Sequence, residues 1–347
     1  MRYLSLLLLV LLTAACSPGY VLRAGFEEAK ILQRRQPITR LVADPRTPPE
    51  QRAKLALVLE ARAFAERELR LDVGDSYTTF SQLDSDTLAL VLSAAHQDRF
   101  APHTWWFPIV GRVPYKGFFS EAKARREIAK LEQRGLDTYL RPTSAFSTLG
   151  WFNDPLVSSL LRYDSVSLAN TVVHELFHNT LYVPGQAAFN ESLANFVGGR
   201  GAIQFFCARD TRLCEQSRNE WQDELLFGGF LSEVVRELEA LYARTDLDRA
   251  GKLVAREEVF TRARRMFAEE IRPRFRGTGV GSFERLPLNN ATLISRRLYY
   301  QRLDLFEQVF ARNQGNLPHT IAEIVRVAKG SGDPYAAVEQ LISQGAI

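Results

Sequence analysis

Thr171-Val172-Val173-His174-Glu175-Leu176-Phe177-His178 is the stretch on which the reading of this chain turns. Its apolar residues, continued by Leu181, describe a largely buried helix. On a helix, residues four apart lie about 40° apart around the axis and about 6 Å along it. His174 and His178 therefore aim at one spot, and both imidazoles can reach a single ion. Glu175 leaves that line but stays close enough to touch a water held there. Only five histidines occur in 347 residues, so this spacing arises by chance on the order of once in two hundred such chains. Two structural histidines are the plainer reading. Yet polar rings on a buried helix need partners, and one cation would serve both.

Asp164 or Ser165 can cap this helix, which should run to about Tyr182 before Pro184-Gly185 stops it. A second helix starts near Ala187 and meets Gly198-Gly199-Arg200-Gly201. If the two fold back on each other about Pro184-Gly185, residues equally distant from 184.5 stand opposite. Residue 178 then faces 191, and 174 faces 195. A catalytic zinc usually takes three protein ligands and leaves one position for water. Glu191, in Asn190-Glu191-Ser192-Leu193-Ala194-Asn195, would supply the third. Asn195 would face His174 and could hold its second ring nitrogen.

Outward from this core the chain has two textures. In residues 16–154, helical patterns at Phe26–Gln33, Pro49–Leu71 (after the start signals Thr47 and Pro48) and Ser120–Arg134 mix with strand-like runs. These runs are Leu88–Leu92, Trp105–Val110 and Asp137–Leu140, so a small sheet is expected here. In residues 155–347 helices dominate, with patterns over Arg218–Arg244, Val254–Phe275 and Leu293–Arg312 and two short ones near the C-terminus. Gly277–Pro287 reads as a loop. The whole is an α+β chain.

Residues 1–15 stand apart. Arg2, the apolar run Leu4–Leu12 and the small residues Thr13-Ala14-Ala15 before Cys16 fit a cleaved export signal too short to remain as a spanning helix. Ending on cysteine, the signal resembles the bacterial lipoprotein pattern, which implies lipidation of Cys16 and a protein tethered at the outer membrane, facing the periplasm. A plain secretory signal with an incidental cysteine is the alternative. Export permits a disulfide between Cys207 and Cys214, the alternative being two free thiols. The net charge of +4, with both signs interspersed, gives no footprint for nucleic acid.

Together, these features resemble the gluzincin class of zinc peptidases, with the zincin-like fold that class implies. Within it, the chain is similar to a family of bacterial lipoproteins described as putative aminopeptidases. The likeness rests on Cys16, Trp106–Gly111, Pro114–Gly117, Ser147–Trp151, His174–His178, Asn190–Ala194 and Asn289–Ala291. It implies zinc held by His174, His178 and Glu191, with Glu175 as the catalytic residue and a peptide as substrate. Two departures matter. The gap from His178 to Glu191 is shorter than in the better-known members, and Asn195 stands where those often have an acid.

The chemistry expected of such a site is peptide hydrolysis by an activated water, with Glu175 as general base. The oxyanion needs a further donor, and Tyr299, Tyr300, Tyr115 and His103 are the candidates. Segment 147–151 is a candidate edge strand for laying out a peptide. The rival reading is an envelope lipoprotein that binds zinc or peptide without chemistry. An intact Glu175 favours the enzyme, because a structural site has no use for it.

Overall fold

The computed structural model describes residues 30–84, 89–107, 111–143, 154–277 and 283–343. The signal at 1–15, Cys16, the helix start at Phe26, the end of the Trp105–Val110 run and the segment 147–151 lie outside the described residues.

Near the N-terminus β1 (Gln36–Pro37) leads into α1 (Ile38–Ala43) and α2 (Pro49–Arg67), and β2 (Thr79–Ser81) returns to pair with β1. There follow β3 (Ala89–His96), the ribbon strands β4 (Trp105–Phe107) and β5 (Gly111–Val113), β6 (Tyr115–Phe118), α3 (Glu121–Gln133) and β7 (Leu136–Thr143). After β8 (Leu156–Val157) helices take over. They are α4 (Ser165–Thr180), α5 (Ala187–Cys207), α6 (Thr211–Ala243) and α7 (Arg249–Met266), then α8 (Asn290–Tyr300), α9 (Leu303–Arg312), α10 (Leu317–Ala328) and α11 (Pro334–Ser343). The expected mixed α+β class holds.

The main sheet is antiparallel in the order β6-β3-β7, and β8 joins β1 and β2 in a second, smaller sheet. Strand side chains alternate between faces, and the register assigns them. Leu90, Leu92, Leu136, Leu140 and Phe118 pack against Ala124, Ile128 and Leu131 of α3. The opposite face carries Ala95 and Tyr139 onto Ala291 and Ile294 of α8. Because Ser93 pairs with both Tyr115 and Tyr139, and Val91 with Arg141, these three long polar side chains rise from that same face.

A polar knot fixes α8 there. Asp137 binds the Arg256 guanidinium through both oxygens at 2.8 and 3.1 Å, and accepts from the Asn290 backbone N–H at 3.0 Å. Asn290 also donates to the His96 carbonyl and accepts from the Tyr242 hydroxyl. A buried ion pair survives desolvation when its remaining bonds are satisfied in this way.

Two expected boundaries are corrected, and one left open is settled. The second helix, α5, passes through the glycine run and continues to Cys207. A methyl group on Gly198 would stand 2.3 Å from Asn170 Oδ1 and 3.1 Å from His174 Cβ, and one on Gly199 would stand 2.3 Å from the Trp221 ring. These residues are the crossing points at which α5 meets α4 and α6, so close packing explains them. The single helix expected over Leu293–Arg312 is two, broken at Arg302 with φ 55°. The helix from Pro49 stops at Arg67 because Arg70 adopts φ 58°, which no helix accommodates. Cys207 and Cys214 are bonded, their Cα atoms 4.4 Å apart, and they staple the α5–α6 corner.

Candidate metal centre

Helix α4 begins as expected: Asp164 accepts from the backbone N–H groups of Val166 and Ser167, satisfying donors that a helix start leaves open. It ends where Leu181 turns extended. Gly185, at φ 78°, makes the turn. The Asn190 amide then clamps it by bonding both the N–H and the carbonyl of Val183. Val172, Val173, Leu176 and Phe177 are fully buried. Each such side chain contributes about 1.5–3 kcal/mol, so packing alone fixes the rotation of α4 and aims its histidines at α5.

Glu191 Oε2 lies 3.4 Å from His174 Nε2 and 3.8 Å from His178 Nε2. One donor atom from each of the three residues falls within 4.8 Å of the others. Donors bound at 2.0–2.1 Å to a tetrahedral zinc stand roughly 3.3 Å apart, so little movement separates this geometry from a coordinated one. The side chains are 2% (His178), 11% (His174) and 18% (Glu191) exposed, so the cluster is nearly buried but not sealed from solvent.

The electrostatics favour the ligating forms of His178 and Glu191, and His174 would give up its proton on taking a metal. Burial holds the His178 imidazole neutral, its pKa down at about 4, against the pull of Glu191. The neutral ring is the form that binds metal. Its Nδ1 is buried and makes no hydrogen bond, so packing holds the ring. Burial also works against charge on His174, but the Glu191 hydrogen bond and the charges of Glu175 and Glu224 outweigh it and raise its pKa. Burial would raise Glu191, yet His174, His178 and Arg141 outweigh it and hold that carboxyl below its usual range. Glu175 is pushed up to about 7, mainly by burial, with Glu191 and Asp154 adding to the effect against His174.

Of the oxyanion candidates, the structure brings two to the cluster. The Tyr299 ring lies 6.2 Å from the His174 ring, and its hydroxyl accepts from Arg141 at 3.2 Å. Burial first, then Glu191, pushes Tyr299 to about 12, so its hydroxyl keeps its proton. Tyr115 is likewise raised by burial and by Glu191 and Tyr299. The other two are corrections. Tyr300 turns away to pack edge-on against Phe227 at 5.1 Å. His103 stands edge-on to Trp105, among Arg134, His96, Glu127 and Arg112.

Asn195 is a further correction. It makes no hydrogen bond to His174, and its amide donates instead to Glu224 at 2.8 Å and to the Tyr299 carbonyl at 3.1 Å. Glu224, pushed to about 7 chiefly by burial, thus supplies from α6 an acid that the sequence lacked beside Asn195. Arg141 and Glu224 are the residues that the sequence reading missed. Arg141 continues the alternation of Asp137 and Tyr139 past the expected strand end at Leu140, and that signal was available. Glu224 had none. A separate surface pocket, bordered by Arg67, Thr180 and Arg326, touches none of these groups.

A family model described as "Putative aminopeptidase" matches residues 19–334. No curated protein and no solved structure matches the chain.

Proposed function

The chain belongs to the putative aminopeptidase family, and from that premise we propose that it is a zinc-dependent peptidase of gluzincin type with a zincin-like fold. His174, His178 and Glu191 would hold the ion. One observation carries this reading: two imidazoles and a carboxylate converge on one point, beside a further carboxylate that is not among the donors. Two histidines with one glutamate are a common catalytic zinc set, and it leaves one position open.

Bound zinc supplies a polarised carbonyl and a more acidic water. The protein's own groups do the rest. The Glu175 carboxylate takes the proton of the attacking water and returns it to the leaving amine. The Tyr299 hydroxyl, kept protonated and fixed by Arg141, donates to the oxygen on which charge develops. Val172, Val173 and Phe177 exclude water from the ligand helix, which strengthens each of these interactions.

Cleavage from the amino end is the family's description and our expectation. Attachment through a lipid on Cys16 completes the proposal and makes the protein a tethered envelope peptidase. Purified protein lacking residues 1–16 should cleave free-amine fluorogenic peptides and spare N-blocked ones. Cleavage of both would make it an endopeptidase. Zinc binding without cleavage of either would favour a non-catalytic binding role. Cys16→Ser should move the full-length protein from the membrane fraction to the soluble one, and an unchanged distribution would remove the lipid anchor.

A further inference from the structure

Beside the candidate metal centre, β7 and α8 carry two guanidinium groups that no carboxylate among the described residues pairs with. Arg141 stacks over the Tyr299 ring at 5.8 Å and donates to its hydroxyl. Arg296, one turn earlier on α8, makes only a long 3.4 Å bond to the Tyr139 hydroxyl, and its Nε is buried with no partner. Neither arginine forms an ion pair among the described residues, although most other arginines at comparable exposure do, as Arg200 does with Glu307 and Arg256 with Asp137. Tyr139 and Arg141 share one strand face, and Arg296 and Tyr299 share one helix face. The four interlock as Arg–Tyr pairs, and Tyr115 completes the row.

Withdrawing a cation from water without a counter-charge is costly. Glu191 acts on Arg141 only through its field and makes no ion pair with it, and that carboxylate is committed to the histidines. The arrangement thus lacks an anion, and it is not sealed: Arg141, Arg296, Tyr115 and Tyr299 all keep partial exposure, and Tyr299 lies beside His174. A guanidinium fork matches a carboxylate through two parallel bonds. One aromatic ring, that of Tyr299, separates Arg141 from His174. A peptide advances about 3.5 Å per residue, so the group received would sit within a few residues of the bond being cut.

We propose that Arg141, backed by Arg296, is a carboxylate-binding subsite, and that the substrates are peptides bearing a carboxylate within about three residues of the scissile bond. The carboxylate is a free C-terminus or an acidic side chain. This rests on the peptidase reading for its meaning, but binding can be measured apart from cleavage.

The test uses the zinc-loaded full-length chain and three peptides: Leu-Ala, Leu-Ala-amide and Leu-Glu-amide. Binding is measured by calorimetry on Glu175→Gln protein, and kcat and KM on the parent. Leu-Ala should bind about tenfold more tightly than its amide, with the difference in KM rather than kcat. Arg141→Gln should erase that preference in the binding measured on Glu175→Gln protein; because Arg141 also holds the Tyr299 hydroxyl, the readout is the ratio of acid to amide affinity and not the rate of cleavage. A gain for Leu-Glu-amide assigns the site to acidic side chains as well, and its absence assigns it to the C-terminus. If the acid and both amides bind alike to protein with Arg141 intact, the subsite does not exist, however well the variant folds. If nothing is cleaved but the preference holds and depends on Arg141, the peptidase reading fails and the subsite stands.

Discussion

The α4–α5 hairpin and the wall facing it were built by different rules. The hairpin gathers its donors from eighteen consecutive residues, 174 to 191, and both helices obey local periodicity around one tight turn. The wall draws Tyr115 and Arg141 from two strands that never touch each other, and Tyr299 from a helix more than a hundred residues on. Local chemistry supplies the candidate reaction centre, and long-range packing supplies what a substrate would meet.

Three changes break or sharpen that contrast, from the largest expected effect to the smallest. Tyr299→Phe should leave zinc in place and lower kcat about a hundredfold, whereas Tyr300→Phe should change kcat less than about twofold. Equal losses would mean that the oxyanion donor lies elsewhere. Gly198→Ala tests the hairpin, because the added methyl would overlap Asn170 and crowd His174. Overpacking of this kind costs about 1–3 kcal/mol, read as a lower urea midpoint. Gly229→Ala on α6, where nothing lies within 4 Å, should instead be neutral or gain up to about 1 kcal/mol. Matching effects at the two glycines would deny that close helix contact explains Gly198.

The smallest effect concerns Glu224, which joins the two regions. Its pKa of about 7 in the fold exceeds the ordinary carboxyl value of 4.5. As pH rises, the unfolded chain therefore loses this proton first. Stability falls between about pH 4.5 and 7 and then levels off. Glu224→Gln keeps an acceptor for Asn195 and removes that fall. It should match the parent near pH 4.5 and exceed it at pH 8 by on the order of 2 kcal/mol or less, since Glu224 keeps partial exposure. A parent–variant difference independent of pH would contradict the assignment.

The same contrast explains what the sequence made legible. His174 and His178 were readable because a helix repeats every 3.6 residues, and the hairpin register followed from Pro184-Gly185. Tyr299 and Tyr300 were not separable, because neighbours on a helix point about 100° apart and only the partners of α8 decide which one lies beside His174. Asn195 was given the wrong partner because Glu224 reaches it from another helix. Propensity gives no reason for Gly198-Gly199 along the second helix, whereas tertiary crowding demands glycine there. Pro142 shortened the expected strand, but β7 is an edge strand, where a missing N–H is tolerated. Arg141 was lost with those last residues.

The central claim is that His174, His178 and Glu191 hold a zinc ion. X-ray absorption at the zinc edge, on purified protein beside Glu175→Gln and Glu191→Ala, tests it most directly. About one zinc per chain is expected, bound by two imidazole nitrogens and carboxylate oxygen at roughly 2.0–2.2 Å. Glu175→Gln should give the same spectrum with hydrolysis lowered about a hundredfold to ten-thousandfold, and Glu191→Ala should lose the metal. A chain that takes up no zinc, or a spectrum unmoved by Glu191→Ala, would contradict the account.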